Sequence, residues 1–208
     1  MAKKNRAKAA KAKGKKQTGA RAGVRAGRKA KPAGRAGTTK AAKASVGADA
    51  KEAAIEAMTF AHTMVVNVCN VPAESLTHQG HAHENHALWT LGHLAGAYDW
   101  FAGMLDGEPS RTPAHFQEPF GGKSAPVRDA TKYPPLAEVK SVFDASWARL
   151  LRAAKGTSAG DLRKATRTDS MGFAPSRLVA LHRVAWHDGW HAGQVSTIRR
   201  SLGLPSVM

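Results

Sequence analysis

Apolar residues recur at helical spacing in four stretches of this chain, and no stretch reads convincingly as a strand. Over about residues 50–70, Ile55, Met58, His62, Val65 or Val66, and Cys69 share one face, and Pro72 stops the run. Over about 84–105, His86, Trp89, His93, Gly96 or Ala97, Trp100 and Met104 form one stripe, closed by Gly107 and Pro109. The third stretch opens on Pro134-Pro135, with proline suited to a first helical turn. Its stripe is Leu136, Val139, Phe143, Trp147, Leu150 and Ala154, with Gly156 at its end. The fourth opens near Pro175-Ser176, runs to about Leu202, and is closed by Gly203 and Pro205. Ala180, Val184, His187, His191, Gln194 and Ile198 lie on its inner stripe. Four amphipathic helices without an internal repeat predict an all-α four-helix bundle. The connection over about 107–134 is rich in Pro, Gly and charge, and loops of this length are usually functional or mobile.

Charge divides the chain. Residues 1–50 hold 16 of the 32 Lys and Arg against one acid, Asp49, whereas residues 51–208 hold the other 16 against 14 acids. The strongly basic average thus describes a tail and not a domain. Residues 1–48 are almost entirely Ala, Lys, Arg and Gly, with no aromatic residue. Such a segment cannot bury enough apolar surface to offset chain entropy, so it is expected to be a disordered basic N-terminal tail. Contact with nucleic acid or another polyanion through Lys3, Lys4, Arg6, Lys8, Lys11, Lys13, Lys15 and Lys16 is one role for it. A solvated solubility tail and an Arg-rich targeting segment are the others.

Residues 49–208 are expected to form one domain. A domain near 150 residues buries about 68–70% of its unfolded-chain surface, enough to fold without a disulfide or a structural metal. The single cysteine, Cys69, fits a reducing compartment and a packed apolar role. No apolar run reaches the roughly 18 residues of a membrane span, and the basic N-terminus lacks a secretory apolar segment. These features point to a cytoplasmic protein with no membrane partner; a homodimer is left open.

The candidate chemistry is carried by histidine. His187-Asp188-Gly189-Trp190-His191 places two imidazoles one turn apart on one helix face, where both can reach a single ion at about 2.0–2.1 Å. Alone, such a pair is a weak signal, more often two hydrogen-bonded core histidines than a metal site. His93, sitting where a core pattern wants leucine, supplies a third imidazole from another helix. Three imidazoles around one ion leave a position open, as in catalytic sites. HDGWH also resembles the HExxH of zinc proteases. However, no His, Asp, Glu or Cys follows His191, so the usual third ligand is missing. Asp188 is moreover rotated about 100° from His187, toward solvent or a neighbouring base.

Other candidates surround this trio. His62 is a packed histidine or a pocket residue. His86, one heptad before His93, is too far to share its ion but could line a pocket above it. Trp89 is a core or pocket residue. Gln194 could orient a ligand, touch a substrate, or bond a backbone carbonyl of another helix, the last being preferred. His78, His81 and His83 read as a solvated loop run.

The segments NHALWTLGHLAGAYDW (85–100) and HRVAWHDGWHAGQVSTIRRSLGLP (182–205) resemble the DinB/YfiT-like superfamily. The likeness covers roughly residues 50–205; the basic tail has no counterpart in it. It implies a four-helix bundle with metal ligands at His93, His187 and His191, and one bound divalent ion. Zinc is the first choice, with nickel, iron or manganese as alternatives. It also implies relatives that act as transferases or isomerases with low-molecular-weight thiols such as bacillithiol or mycothiol.

Two functions follow. In one, the protein is a metal-dependent enzyme, a transferase in which the ion lowers the pKa of a small-molecule thiol for attack on an electrophile. Hydrolysis by a metal-activated water is its close variant. In the other, the bundle is a non-catalytic metal-binding or stress-related module tethered to nucleic acid by its tail.

Overall fold

The computed structural model describes residues 36–207 of the 208-residue chain, with side chains from Val46 onward. Among these residues the helices are α1 (Ala36–Cys69), α2 (Ala87–Asp106), the single turn α3 (Gln117–Phe120), α4 (Leu136–Gly156) and α5 (Arg177–Ser201), and no strand occurs. The tail positions Lys3, Lys4, Arg6, Lys8, Lys11, Lys13, Lys15 and Lys16 lie outside the described residues. No described helix is long and apolar enough to cross a membrane.

The helix boundaries follow local chemistry. Ser176 caps α5, its hydroxyl accepting the Val179 N–H at 3.3 Å. Gly107, at φ 81°, takes the left-handed position that closes α2. One boundary differs from expectation: α1 starts at Ala36 and not near Ala50, so residues 36–48, assigned to the tail, are helical. The reason is propensity. TTKAAKAS is rich in Ala and Lys, which favour helix even without an apolar stripe. Gly47 in this stretch is buried, close enough to Ala159 that an added Cβ would sit 3.3 Å from its methyl.

The helix ends define the topology. The C-terminal ends of α1 and α5 meet where Arg199 Nη1 donates to the Asn70 carbonyl at 2.7 Å. The middle of α1 lies by the end of α4, with Lys51 Nζ donating to the Lys155 carbonyl at 2.6 Å. The starts of α2 and α4 meet at His86 and Tyr133, and their later turns at Asp106 and Arg149. Hence α1 and α5 run parallel, α2 and α4 run parallel, and the two pairs oppose each other.

This order accounts for the long connection. Joining parallel α2 and α4 requires the chain to climb back along a 20-residue helix, about 30 Å at 1.5 Å per residue. Residues 107–135 make that climb, and Phe116, Phe120 and Tyr133 pack into the core on the way. The segment is a crossover packed on the bundle.

The core runs between the two pairs. Met58 and Val65 from α1, Leu94 and Tyr98 from α2, Phe143 and Leu150 from α4, and Leu181, Val184 and Val195 from α5 are all buried. α2 is buried on nearly every side and not along a single stripe, since α4, α5 and the crossover all pack on it.

Candidate metal centre

His93 lies in the middle of α2, and His187 and His191 are one turn apart on α5, the helix facing it. The Nε2 atom of His187 is 3.3 Å from that of His93 and 3.1 Å from that of His191. One ligand nitrogen from each ring lies within 4.8 Å of the other two. The rings meet edge to face, tilted by 65° to 77° to one another, so their nitrogen tips converge.

Outer hydrogen bonds set the tautomers. His93 Nδ1 lies 2.9 Å from the Phe120 carbonyl, which can only accept, so Nδ1 carries the proton and Nε2 presents a lone pair. His191 Nδ1 likewise donates to Gln194 Oε1 at 2.9 Å, and Asn85 Nδ2 donates to the same oxygen at 3.0 Å. Trp89 stacks flat on His93, with ring centres 4.6 Å apart, and its indole N–H is held by Ser124 at 2.8 Å.

Burial keeps the trio neutral. It pushes His187 down to about 3 and His191 to about 4, each helped by neighbouring imidazoles. It lowers His93 as well, against the opposing pull of the Phe120 carbonyl.

These residues fit a metal. Tetrahedral coordination at 2.0–2.1 Å places ligand nitrogens about 3.3–3.4 Å apart, close to the spacing seen here. At least two of the three nitrogens present lone pairs toward one point, an arrangement that favours a cation between them.

A cavity of about 810 Å³ opens beside the trio, lined by all three histidines and mostly by apolar residues of α2, α5 and the crossover. Such a volume suits a small-molecule ligand. A family model described as the DinB superfamily matches residues 56–195, about two thirds of the chain. The chain belongs to the DinB superfamily. The match takes in all three histidines, and it leaves out the basic N-terminal segment. A search of curated proteins finds no match.

In this DinB-superfamily protein, the four neighbouring candidates do not line the cavity. Trp89 and Gln194 buttress the trio, stacking on His93 and holding His191. Gln194 therefore orients a ring, in place of the preferred bond to a distant carbonyl. His86 is buried as the cap of α2. Its Nδ1 accepts the Trp89 N–H at 3.1 Å and its Nε2 donates to the Val127 carbonyl at 3.0 Å. His62 lies in another part of the core, stacked on Trp147 with ring centres 3.9 Å apart.

Asp188 also departs from expectation. It faces the core and not solvent, fully buried, and accepts the Tyr98 hydroxyl at 3.0 Å, while His62 Nδ1 lies 3.1 Å from that hydroxyl. Burial raises its pKa above the usual carboxylate range, against the pull of the Tyr98 hydrogen bond. Turned onto Tyr98 and off the cavity wall, Asp188 is not placed as the general base a protease-like HDGWH would need. Cys69 is equally inert, since burial, opposed by the Arg199 charge, pushes its thiol up to about 12.

Sequence reasoning missed the Phe120 carbonyl, which no side-chain pattern announces, and Asn85. It also missed Trp186 and Trp190, which line the cavity. Their signal is legible in hindsight: each immediately precedes a site histidine, so the two indoles share the i,i+4 register of the imidazoles.

Proposed function

We propose that this protein is a metal-dependent enzyme in which His93, His187 and His191 hold one divalent ion, with zinc as first choice. Its reaction is the transfer of a low-molecular-weight thiol to an electrophile bound in the adjoining cavity. The observation that carries this is the convergence of three neutral imidazole nitrogens at coordination spacing on the wall of a ligand-sized cavity. When bound, the ion supplies Lewis acidity at an open position, lowering the pKa of a thiol or of a water.

The protein's own residues supply the rest. The Phe120 carbonyl and Gln194 hold His93 and His191 in the tautomer that leaves Nε2 bare. Trp89 fixes the plane of His93. Phe101, Phe116, Phe120 and Phe173 give an apolar wall to the space where the electrophile would sit.

Elemental analysis of untagged protein tests the centre. About one divalent ion per chain is expected, and His187→Ala should lose most of it; equal metal in both proteins removes His187 from the site. Turnover tests the reaction. Consumption of an electrophile that needs added thiol and stops with a chelator supports transfer. Turnover that persists without thiol points to the hydrolytic variant, and turnover that ignores the chelator overturns the proposal.

A further inference from the structure

The walls of the cavity are unlike those of an anion site. Phe101, Phe116, Phe120 and Phe173 line its interior. Trp186 and Trp190 line its exposed part, 46% and 56% exposed, with ring centres 5.3 Å apart. Met171, 77% exposed, also lines it. Scattered surface apolar groups are ordinary, but here three large ones share the wall of one cavity.

The charged lining is one-signed. Asp99, Glu108 and Asp169 contribute carboxylates, and among the described residues no lysine or arginine lines the space. Asp99 is neutralised by its buried ion pair with Arg149, whereas Glu108 and Asp169 are exposed. The guanidinium of Arg183 comes within 5.4 Å of the Phe173 ring centre but does not reach the wall. Away from the metal centre, an anionic substituent would therefore lose hydration against rings and acidic residues without gaining a counter-charge. A flat apolar ring would stack on indole and phenyl faces, and a cationic group would gain from the same faces and from the acids.

We infer that the cavity selects an aromatic electrophile whose ring, gripped by Trp186 and Trp190 away from the metal centre, is uncharged or cationic and carries no carboxylate, sulfonate or phosphate there. This rests on the cavity being the substrate site proposed above.

Calorimetric titration of the full chain with three probes sharing one ring tests it: 2-naphthylmethanol, 2-naphthylmethylammonium and 2-naphthoate. Each is run on metal-loaded protein and on protein stripped by a chelator, where no ion can recruit the carboxylate. The alcohol and the ammonium are expected to bind in both. The naphthoate should bind the stripped protein at least about tenfold more weakly, and the double variant Trp186→Ala/Trp190→Ala should weaken the alcohol by about tenfold with metal content unchanged.

Naphthoate binding stripped protein as tightly as the alcohol overturns the inference, as does an unchanged affinity in the double variant. Sedimentation of that variant adds a further check: conversion of a dimer to a monomer would reassign the two tryptophans to a subunit contact. Metal-loaded protein that binds no probe sinks this inference and leaves the metal centre standing. Probe binding by a chain that never holds metal does the reverse.

Discussion

Each histidine of the core owes its state to its immediate partners. His191 keeps its proton on Nδ1 because Gln194 accepts it there. Gln194→Ala should therefore weaken metal binding by about 10- to 100-fold without abolishing it, since three ligand nitrogens remain. Competition with a chromogenic chelator reads that loss, and wild-type affinity in the variant would dismiss the glutamine as a positioning residue. In metal-free protein, His62 and His86 add to the pH dependence that burial also gives the trio. Burial lowers both to about 4 from an ordinary 6.5. The unfolded chain thus binds more protons than the folded one between those values. Their contribution to stability is complete above pH 6.5 and is lost as pH falls toward 4. The Tm of chelator-treated protein should be level from pH 8 to 7 and fall progressively below pH 6.5. A flat profile down to pH 4.5 would contradict the buried neutral rings.

At the scale of elements, the crossover is what turns two helical histidine motifs into a centre. It lays Phe120 against α2 so closely that a Cβ on Gly92 would come within 2.4 Å of the phenyl ring. Gly92→Ala should displace Phe120 and with it the carbonyl that orients His93, lowering metal affinity while far-ultraviolet circular dichroism keeps its helical signal. The crossover is pinned at its start by Arg149, which reaches from α4 to the carboxylates of Asp99 and Asp106 and to the carbonyls of Glu108 and Pro109. Removing the guanidinium leaves the buried Asp99 carboxylate without its counter-charge, so Arg149→Ala should cost about 3 kcal/mol in urea unfolding. The existence and order of the long helices were legible in apolar spacing and in the punctuation by proline and glycine. Arg149 was not, because nothing in a stripe of Leu, Val and Phe reveals a charged neighbour whose partners lie more than 40 positions away.

The chain joins a bundle to a basic N-terminal segment in which residues 2–35 include no aromatic residue and one large aliphatic, Val24. Deleting residues 1–35 should leave Tm and metal content unchanged. Deleting 1–48 removes helical turns of α1 and the Gly47 contact with Ala159, and should lower Tm. Equal stability of the two truncations would show that those turns do not contribute. If the segment contacts nucleic acid, the full chain should bind duplex DNA with an affinity that drops steeply with salt, and the 36–208 fragment should not. Equal binding by both would place the contact on the bundle.

Local periodicity with proline and glycine punctuation determined the four long helices, apart from the start of α1, and the pairing of His187 with His191, because residues one turn apart share a face wherever the helix lies. It also singled out His93 as a polar residue on an apolar stripe. Which way Asp188 faced, what Gln194 held, and why the crossover is long were decided only by packing. Each depends on a neighbour distant in sequence: Tyr98 for Asp188, Asn85 for Gln194, and the parallel course of α2 and α4 for the crossover. A helical pattern specifies direction around one axis; the partner waiting in that direction is a property of the assembled bundle.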